Sequence, residues 1–179
     1  MAQVKSLGFK EKPEPSASHR ASCDFSVRPM NAADLEAVTA IESENPSPWT
    51  AGQFAGERAQ DGGWQFVAES KISGLVCGFI CGRSCAGEAE LLKIAVGLEC
   101  QRQGVATQLV AHAMRCLAEQ KITRCFLELR AANVPALALY ERFGFRRVGL
   151  RKNYYASPLE DAIVMEKIVL PPDGGIVVE

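Results

Sequence analysis

Histidine is nearly absent. The 179 residues contain two, His19 and His112, far apart in the chain. A metal site built on clustered imidazoles is therefore not expected, and no metal is proposed. Neither charge sign is in excess: 20 Lys and Arg stand against 21 Asp and Glu, a net charge of −1. That excludes a chain-wide electrostatic grip on nucleic acid or anionic lipid. No long apolar run is present. The longest lies near Leu75 to Cys81, far short of the roughly 20 residues that span a bilayer. The beginning of the chain lacks the apolar stretch of about 7–15 residues found in secretory signals and carries Lys5, Lys10, Glu11, Lys12 and Glu14 instead. The seven cysteines are an odd number, and most sit in apolar runs, where a free thiol behaves as a small hydrophobe. Cys77, Cys81 and Cys85 are evenly spaced, but four residues of a strand span about 13 Å, so these thiols cannot share one metal. A reducing, cytoplasmic setting is expected, with no membrane or nucleic-acid partner.

What is present reads as one domain. Residues 1–22 are rich in Lys, Glu, Pro and Ser and read as a flexible extension; 23–170 read as the domain, and 171–179 as a tail. Phe25 to Arg28 alternates like a strand. Asn31 is placed to cap a helix carrying Leu35, Val38 and Ile41, with Asp34 as a variant capping-box partner. Pro46 to Thr50 is a loop, and Thr50 caps a short helix expected through Phe54. Trp64 to Glu69, Leu75 to Arg83 and Glu88 to Val96 are strands. From Gly104 the period becomes helical, with Val105, Leu109, Ala113 and Leu117 on one stripe. Arg124 to Arg130 is a strand, Pro135 opens a helix that Gly144 stops, and Phe145 to Leu150 and Ala162 to Ile168 are the last strands. The order β-α-α-β-β-β-α-β-α-β-β predicts an α/β (α+β) fold, a central sheet flanked by helices.

Gln101-Arg102-Gln103-Gly104-Val105-Ala106 joins a strand to a helix. A helix start offers unpaired N–H groups and partial positive charge, and small residues let an anion approach them. The segment lacks the Gly-Lys-Ser/Thr of a Walker loop and the three glycines of a dinucleotide fingerprint. Read alone, it is a helix start that happens to hold a glycine as readily as an anion site.

Gln101-x-x-Gly104-x-Ala106 resembles the pyrophosphate-binding segment of the GNAT family of N-acetyltransferases. Leu92 to Val96 stands where that family pairs a strand with the pantetheine arm of acetyl-CoA. Asn133-x-Pro135-Ala136-x-Ala138-Leu139-Tyr140-Glu141-x-x-Gly144-Phe145 is similar to its second signature. Ser47-Pro48-Trp49-Thr50, Leu127 to Asn133, and Arg151-x-Asn153-Tyr154-Tyr155 with Glu160-Asp161-Ala162-x-x-Met165 resemble the RimI subfamily, over roughly residues 24–168. Cys100 departs from the aromatic residue common at its position, and Ala106 from the commoner Gly. The resemblance implies a mixed, mostly antiparallel twisted sheet. It implies transfer of acetyl from acetyl-CoA to the N-terminal alanine of small-subunit ribosomal protein eighteen, by an enzyme expected to be monomeric. It assigns Ile94, Ala95, Val96, Arg102, Gln103, Gly104, Val105, Ala106, Thr107 and Asn133 to the cofactor.

The chemistry requires a neutral amine, a held oxyanion and a protonated leaving thiolate. At pH 7, deprotonating an α-amine of pKa near 7.7–8.0 costs about 1.4 kcal/mol, and a lysine of pKa near 10.4 about 4.6 kcal/mol. One mild carboxylate suffices for the first. Glu128 shares a strand face with Phe126 and Arg130; the pattern alone favours a solvent-facing carboxylate, and the resemblance makes it the general base. Glu90 is the rival base, or a substrate contact. Tyr140 is the candidate acid, with helix packing as its plain role. The N–H near Val96 is placed for the oxyanion. Asn133 is implied to touch coenzyme A and, by position, caps a helix. Trp49, Tyr154 and Tyr155 are candidates for the peptide groove. Arg146, Arg147, Arg151 and Lys152 read as a solvated basic face. Two other functions remain open: acetylation of lysines or small amines, and a non-catalytic acyl-CoA sensor.

Overall fold

The computed structural model describes residues 24–169. The extension expected over 1–22 and the tail expected over 171–179 lie outside the described residues. In chain order the elements are β1 (Phe25–Pro29), α1 (Leu35–Glu42), α2 (Ala51–Ala59), β2 (Gly63–Ser70), β3 (Val76–Cys85), β4 (Glu88–Val96), α3 (Val105–Glu119), β5 (Arg124–Arg130), α4 (Val134–Arg142), β6 (Arg146–Ala156) and β7 (Leu159–Ile168). The strands make one seven-stranded sheet, ordered β1-β2-β3-β4-β5-β7-β6. Every neighbouring pair is antiparallel except β4 with β5. The element order and the mixed, mostly antiparallel sheet agree with the sequence reading.

Local chemistry accounts for the helices. Asn31 accepts the Ala33 N–H, and Asp34 accepts the Asn31 N–H, capping a short 3-10 turn that runs into α1. Thr50 and Gln53 exchange the same pair of bonds at the start of α2. That helix continues past Phe54 to Ala59, because Gly56 interrupts the apolar pattern without interrupting the backbone. In α3, Val105, Leu109, Val110, Ala113, Met114 and Leu117 are all buried. At ~1.5–3 kcal/mol for each large side chain, this face anchors the helix to the sheet.

Two cores result. Leu91, Cys125, Leu127, Leu129 and Met165 pack with α3 and with Leu137 and Tyr140 of α4. On the opposite face Val67, Phe79 and Cys81 pack with Val38 of α1 and Phe54 of α2. β5 alternates buried Cys125, Leu127 and Leu129 with half-buried Phe126, Glu128 and Arg130, as its period requires.

The strand expected to end at Leu150 runs on to Ala156. It is an edge strand, exposed along its length except at Tyr155. Its pairing with β7 slips between Arg151 and Tyr155, so neither hydrophobic alternation nor a simple period marks it. Among the described residues, no helix is long and apolar enough to cross a membrane.

Candidate active site

The parallel pair β4–β5 holds together only from Glu88↔Arg124 to Leu91↔Leu127. Beyond that point the strands part. The cause is local: Cys81 pairs with Lys93 while Gly82 pairs with Leu91, which leaves Leu92 as an extra residue in β4. Such a bulge bends its strand and re-aims side chains. A cleft of about 460 Å³ opens at the parting, lined by Trp49, Glu90, Ile94, Glu128, Asn133, Tyr140, Tyr154 and Tyr155 among others.

The backbone of β4 faces this gap. Gly97 N–H donates to Cys77 O at 3.0 Å, so Gly97 turns toward β3. In an antiparallel ladder the polar groups of alternate residues point to opposite sides. Val96 and Ile94 therefore aim their N–H groups into the gap, and Ala95 between them turns to β3. Gln101 Nε2 donates to Val96 O at 3.1 Å, and Gln103 Nε2 donates to Glu99 O at 2.8 Å, which ties the following loop to the strand. Gly104 sits at φ +88°, with open space where a side chain would be. It opens α3 without any side-chain cap, so the N–H groups of Val105, Ala106 and Thr107 have no side-chain acceptor from Gly104. Arg102 is also left-handed, at φ 61°. Uncapped amides, small residues and a parted strand edge fit a long phosphorylated thioester.

Glu128 and Tyr140 reach the cleft from opposite faces of the sheet. Tyr140 belongs to the α3/α4 core, packs edge-on against Phe145 at 5.5 Å and is 3% exposed. Burial raises its phenol pKa well above the usual tyrosine range, with smaller contributions from Cys125 and Tyr155. It is therefore a proton donor across ordinary pH. Glu128 faces the other way. Arg151 Nη1 lies 3.0 Å from its Oε1, and a hydrogen bond from the Tyr154 phenol to Glu128, helped by burial and by the carboxylate charge, raises that phenol's pKa. The carboxylate side chain is only 18% exposed, so the solvent-facing reading of Glu128 is not what the structure shows. Arg151 itself remains 57% exposed, so the basic run is solvated as expected while one of its members pairs with Glu128. Arg151 stands opposite Ala162 of β7, which stands opposite Arg130, so Arg151 shares the sheet face of Glu128.

Glu90 lines the same cleft, where Arg83 Nη2 and Nε hold one oxygen at 2.7 and 3.1 Å. Asn133 caps α4 by accepting the Ala136 N–H at 3.1 Å, and its side-chain amide nitrogen is left for other contacts. Trp49 packs edge-on against Phe54 at 5.3 Å. Tyr154 and Tyr155 meet edge-on at 5.2 Å on the wall opposite.

The sequence reading missed Glu42, Lys93 and Arg130. Glu42 is fully buried. It accepts from Lys93 Nζ at 2.6 Å, Asn45 Nδ2 at 2.6 Å and Trp49 N–H at 3.1 Å. Lys93 Nζ also donates to Ser47 O at 2.9 Å. The loop bearing Trp49 is thus fastened to β4 from beneath. The extra residue Leu92 makes this possible, because it lets Leu92 and Lys93 both face α1 and α2. Plain alternation would place them on opposite faces.

Similarity to known proteins agrees with this geometry. Residues 31–145 match the model of the acetyltransferase (GNAT) family. Over 145 residues the chain is 34% identical to the [ribosomal protein bS18]-alanine N-acetyltransferase of Escherichia coli K12, covering 78% of this chain and 94% of that enzyme. A putative enzyme of the same name in Bacillus subtilis is 32% identical over 140 residues, covering 78% and 92%. The crystal structure of the ribosomal-protein-S18-alanine N-acetyltransferase from Escherichia coli superposes with a TM-score of 0.77 at 29% identity, covering 87% of this chain and 99% of that one. The parted β4–β5 pair, the uncapped start of α3 and these matches lead to one conclusion: the chain belongs to the acetyltransferase (GNAT) family, whose members draw an acetyl group from acetyl-CoA.

Proposed function

We propose that this chain acetylates the N-terminal α-amine, an alanine, of ribosomal protein bS18. The observation that carries this reading is the identity of 34% spread over 94% of an enzyme named for that reaction. The acceptor-side features support it. Trp49, Tyr154 and Tyr155 line the cleft of about 460 Å³, and one carboxylate suffices for an amine of pKa near 7.7–8.0. We place the enzyme in the cytoplasm as a monomer. The odd cysteine count, with most thiols in apolar runs, supports the compartment.

The residues divide the work by sheet face. Glu128 meets the acceptor and takes the ammonium proton, directly or through a water. The neutral nitrogen attacks the thioester carbon, and the carbonyl oxygen gains negative charge. The N–H groups of Val96 and Ile94 hold that oxygen without any side chain. As the carbonyl re-forms and the carbon–sulfur bond breaks, Tyr140 gives its proton to sulfur from the other face; the attacking nitrogen releases its second proton to water, Glu128 returns its own to solvent, and solvent reprotonates Tyr140. The segment Arg102 to Thr107 binds the pyrophosphate, and the Asn133 amide nitrogen contacts the coenzyme. Glu90, held through one oxygen by Arg83, serves as an acceptor contact. Trp49, Tyr154 and Tyr155 line the peptide.

Acetyl transfer to a peptide copying the bS18 N-terminus, followed by mass spectrometry, tests the reading. A control peptide carries a blocked α-amine and a free lysine. Acetylation of the free N-terminus alone is expected. Equal transfer to the lysine control would replace this reading with a broader amine acetyltransferase. Acetyl-CoA binding with no transfer to either peptide would remove the bS18 assignment.

A further inference from the structure

Arg130 makes an unusual set of contacts for a strand residue two positions from the candidate base. Its Nη1 donates to Glu160 Oε2 at 3.1 Å and to Pro158 O at 3.3 Å, and its Nη2 donates to Ser157 O at 2.9 Å. The guanidinium also lies over the Tyr155 ring, 4.1 Å from the centroid. A planar fork can stack and donate at once, which a lysine cannot do. Glu160 uses its other oxygen to accept the Ala132 N–H at 2.6 Å. Ala132 directly precedes Asn133, the cap of α4. One ion pair therefore ties the β6–β7 turn, the tyrosine wall and the turn into α4 to a single point.

The backbone does not do this by itself. The β6–β7 ladder is interrupted between Arg151 and Tyr155, so the hairpin tip is held by Tyr155↔Glu160 and Ala156↔Leu159 alone. From Arg130 the contacts continue to Glu128: Tyr155 packs on Tyr154 at 5.2 Å, Arg151 lies 5.3 Å from the Tyr154 ring centroid, and Arg151 pairs with Glu128 at 3.0 Å. Arg130 and Glu128 share one face of β5.

We infer that Arg130, paired with Glu160, is a positioning residue for the acceptor: it fixes Tyr155 and the hairpin tip, and so sets where the incoming N-terminus lies relative to Glu128. It touches no reacting atom. The inference rests on the acceptor wall assigned under the proposed function.

Steady-state kinetics on Arg130→Met, Arg130→Lys and Tyr155→Leu, varying peptide and acetyl-CoA separately, test it. Arg130→Met and Tyr155→Leu should each raise the peptide KM about 10-fold, leave the acetyl-CoA KM within about 2-fold and keep kcat at saturating peptide within about 3-fold. Arg130→Lys keeps the pairing with Glu160 but loses the fork, and should recover only part of the peptide KM. An unchanged peptide KM in folded Arg130→Met overturns the inference, as does a parallel change in both KM values and kcat. If Arg130→Met does not fold, Tyr155→Leu decides by the same two criteria. If the wild type turns over some other amine in place of the bS18 peptide, the substrate assignment fails separately. The same comparison on that amine then still decides the role of Arg130.

Discussion

Lys93 Nζ lies 2.6 Å from Glu42 Oε1, a carboxylate with no exposed surface. This pair joins the sheet to the loop that carries Trp49. Removing the cation strands a buried charge, a change that typically costs 3–5 kcal/mol, whereas replacing both partners together costs far less. Lys93→Met should therefore lower the unfolding free energy by about 3–5 kcal/mol, with Asn45 and the Trp49 N–H as the donors that remain among the described residues. The double change Glu42→Gln with Lys93→Met should be milder than Lys93→Met alone. Urea unfolding of the three proteins gives both values. A loss below about 1 kcal/mol in the single variant would show that the pair is not a fastening.

Gly104 and Gly87 provide an internal comparison. Both have positive φ, +88° and +83°, and both have open space where a Cβ would stand. An alanine at either position meets the same left-handed penalty of roughly 1–2 kcal/mol. Only Gly104 opens α3. Gly104→Ala should therefore raise the acetyl-CoA KM several-fold and leave the peptide KM unchanged, while Gly87→Ala lowers stability by a similar amount with both KM values unaltered. Equal KM behaviour in the two variants would remove Gly104 from the cofactor site.

Much of the fold was legible because its signals are local. Asn31 and Thr50 cap where their side chains can reach the next turn, α3 shows its stripe plainly, and β5 alternates without interruption. The motifs that hold Gly104 and Tyr140 are compact in sequence, so the place of the first at the start of α3 and of the second on α4 was legible. What escaped depends on breaks in register and on alignment across strands. The bulge at Leu92 turns Lys93 to the face opposite that of simple alternation, so no period predicts its contact with Glu42, 51 positions away. Arg151 meets Glu128 across the intervening strand β7, an alignment of three strands that no period within one strand discloses. Arg130 was quoted within a motif, but its partners lie 27 to 30 residues onward in a turn whose geometry the sequence does not disclose.

Glu128 and Arg151 form an ion pair at the cleft, and under the proposed mechanism their separate replacement should have different signatures. Glu128→Gln removes the proton acceptor while keeping the shape. A general base typically contributes 10²–10⁴-fold, so kcat/KM should fall at least about 100-fold with the acetyl-CoA dissociation constant unchanged. Arg151→Gln should alter the peptide KM and leave most of kcat in place, because Arg151 holds the base rather than moving the proton. Rapid-quench single turnovers on both variants separate chemistry from binding. If Glu128→Gln retains the wild-type single-turnover rate, the base is elsewhere, with Glu90 next to be replaced.

Tyr140 makes the pH dependence distinctive. Burial holds its phenol pKa above the ordinary value near 10. The acid form therefore persists through the range in which the acceptor amine, of pKa near 7.7–8.0, loses its proton. The wild-type kcat/KM should rise to about pH 8 and then stay level to about pH 10, with no descending limb from Tyr140. Tyr140→Phe should reduce kcat by about 10²-fold or more at every pH in that range, without changing the shape of the rise. The same burial bears on stability. A group whose pKa is raised by folding stabilises the folded state fully below its unfolded value near 10 and loses that contribution as pH climbs through the folded value. Thermal unfolding of wild type should accordingly weaken above about pH 10 more steeply than that of Tyr140→Phe, which has no phenol to ionise. A descending rate limb below pH 9 in wild type, abolished in Tyr140→Phe, would mean that the phenol titrates in the ordinary range and is not sequestered as its 3% exposure requires.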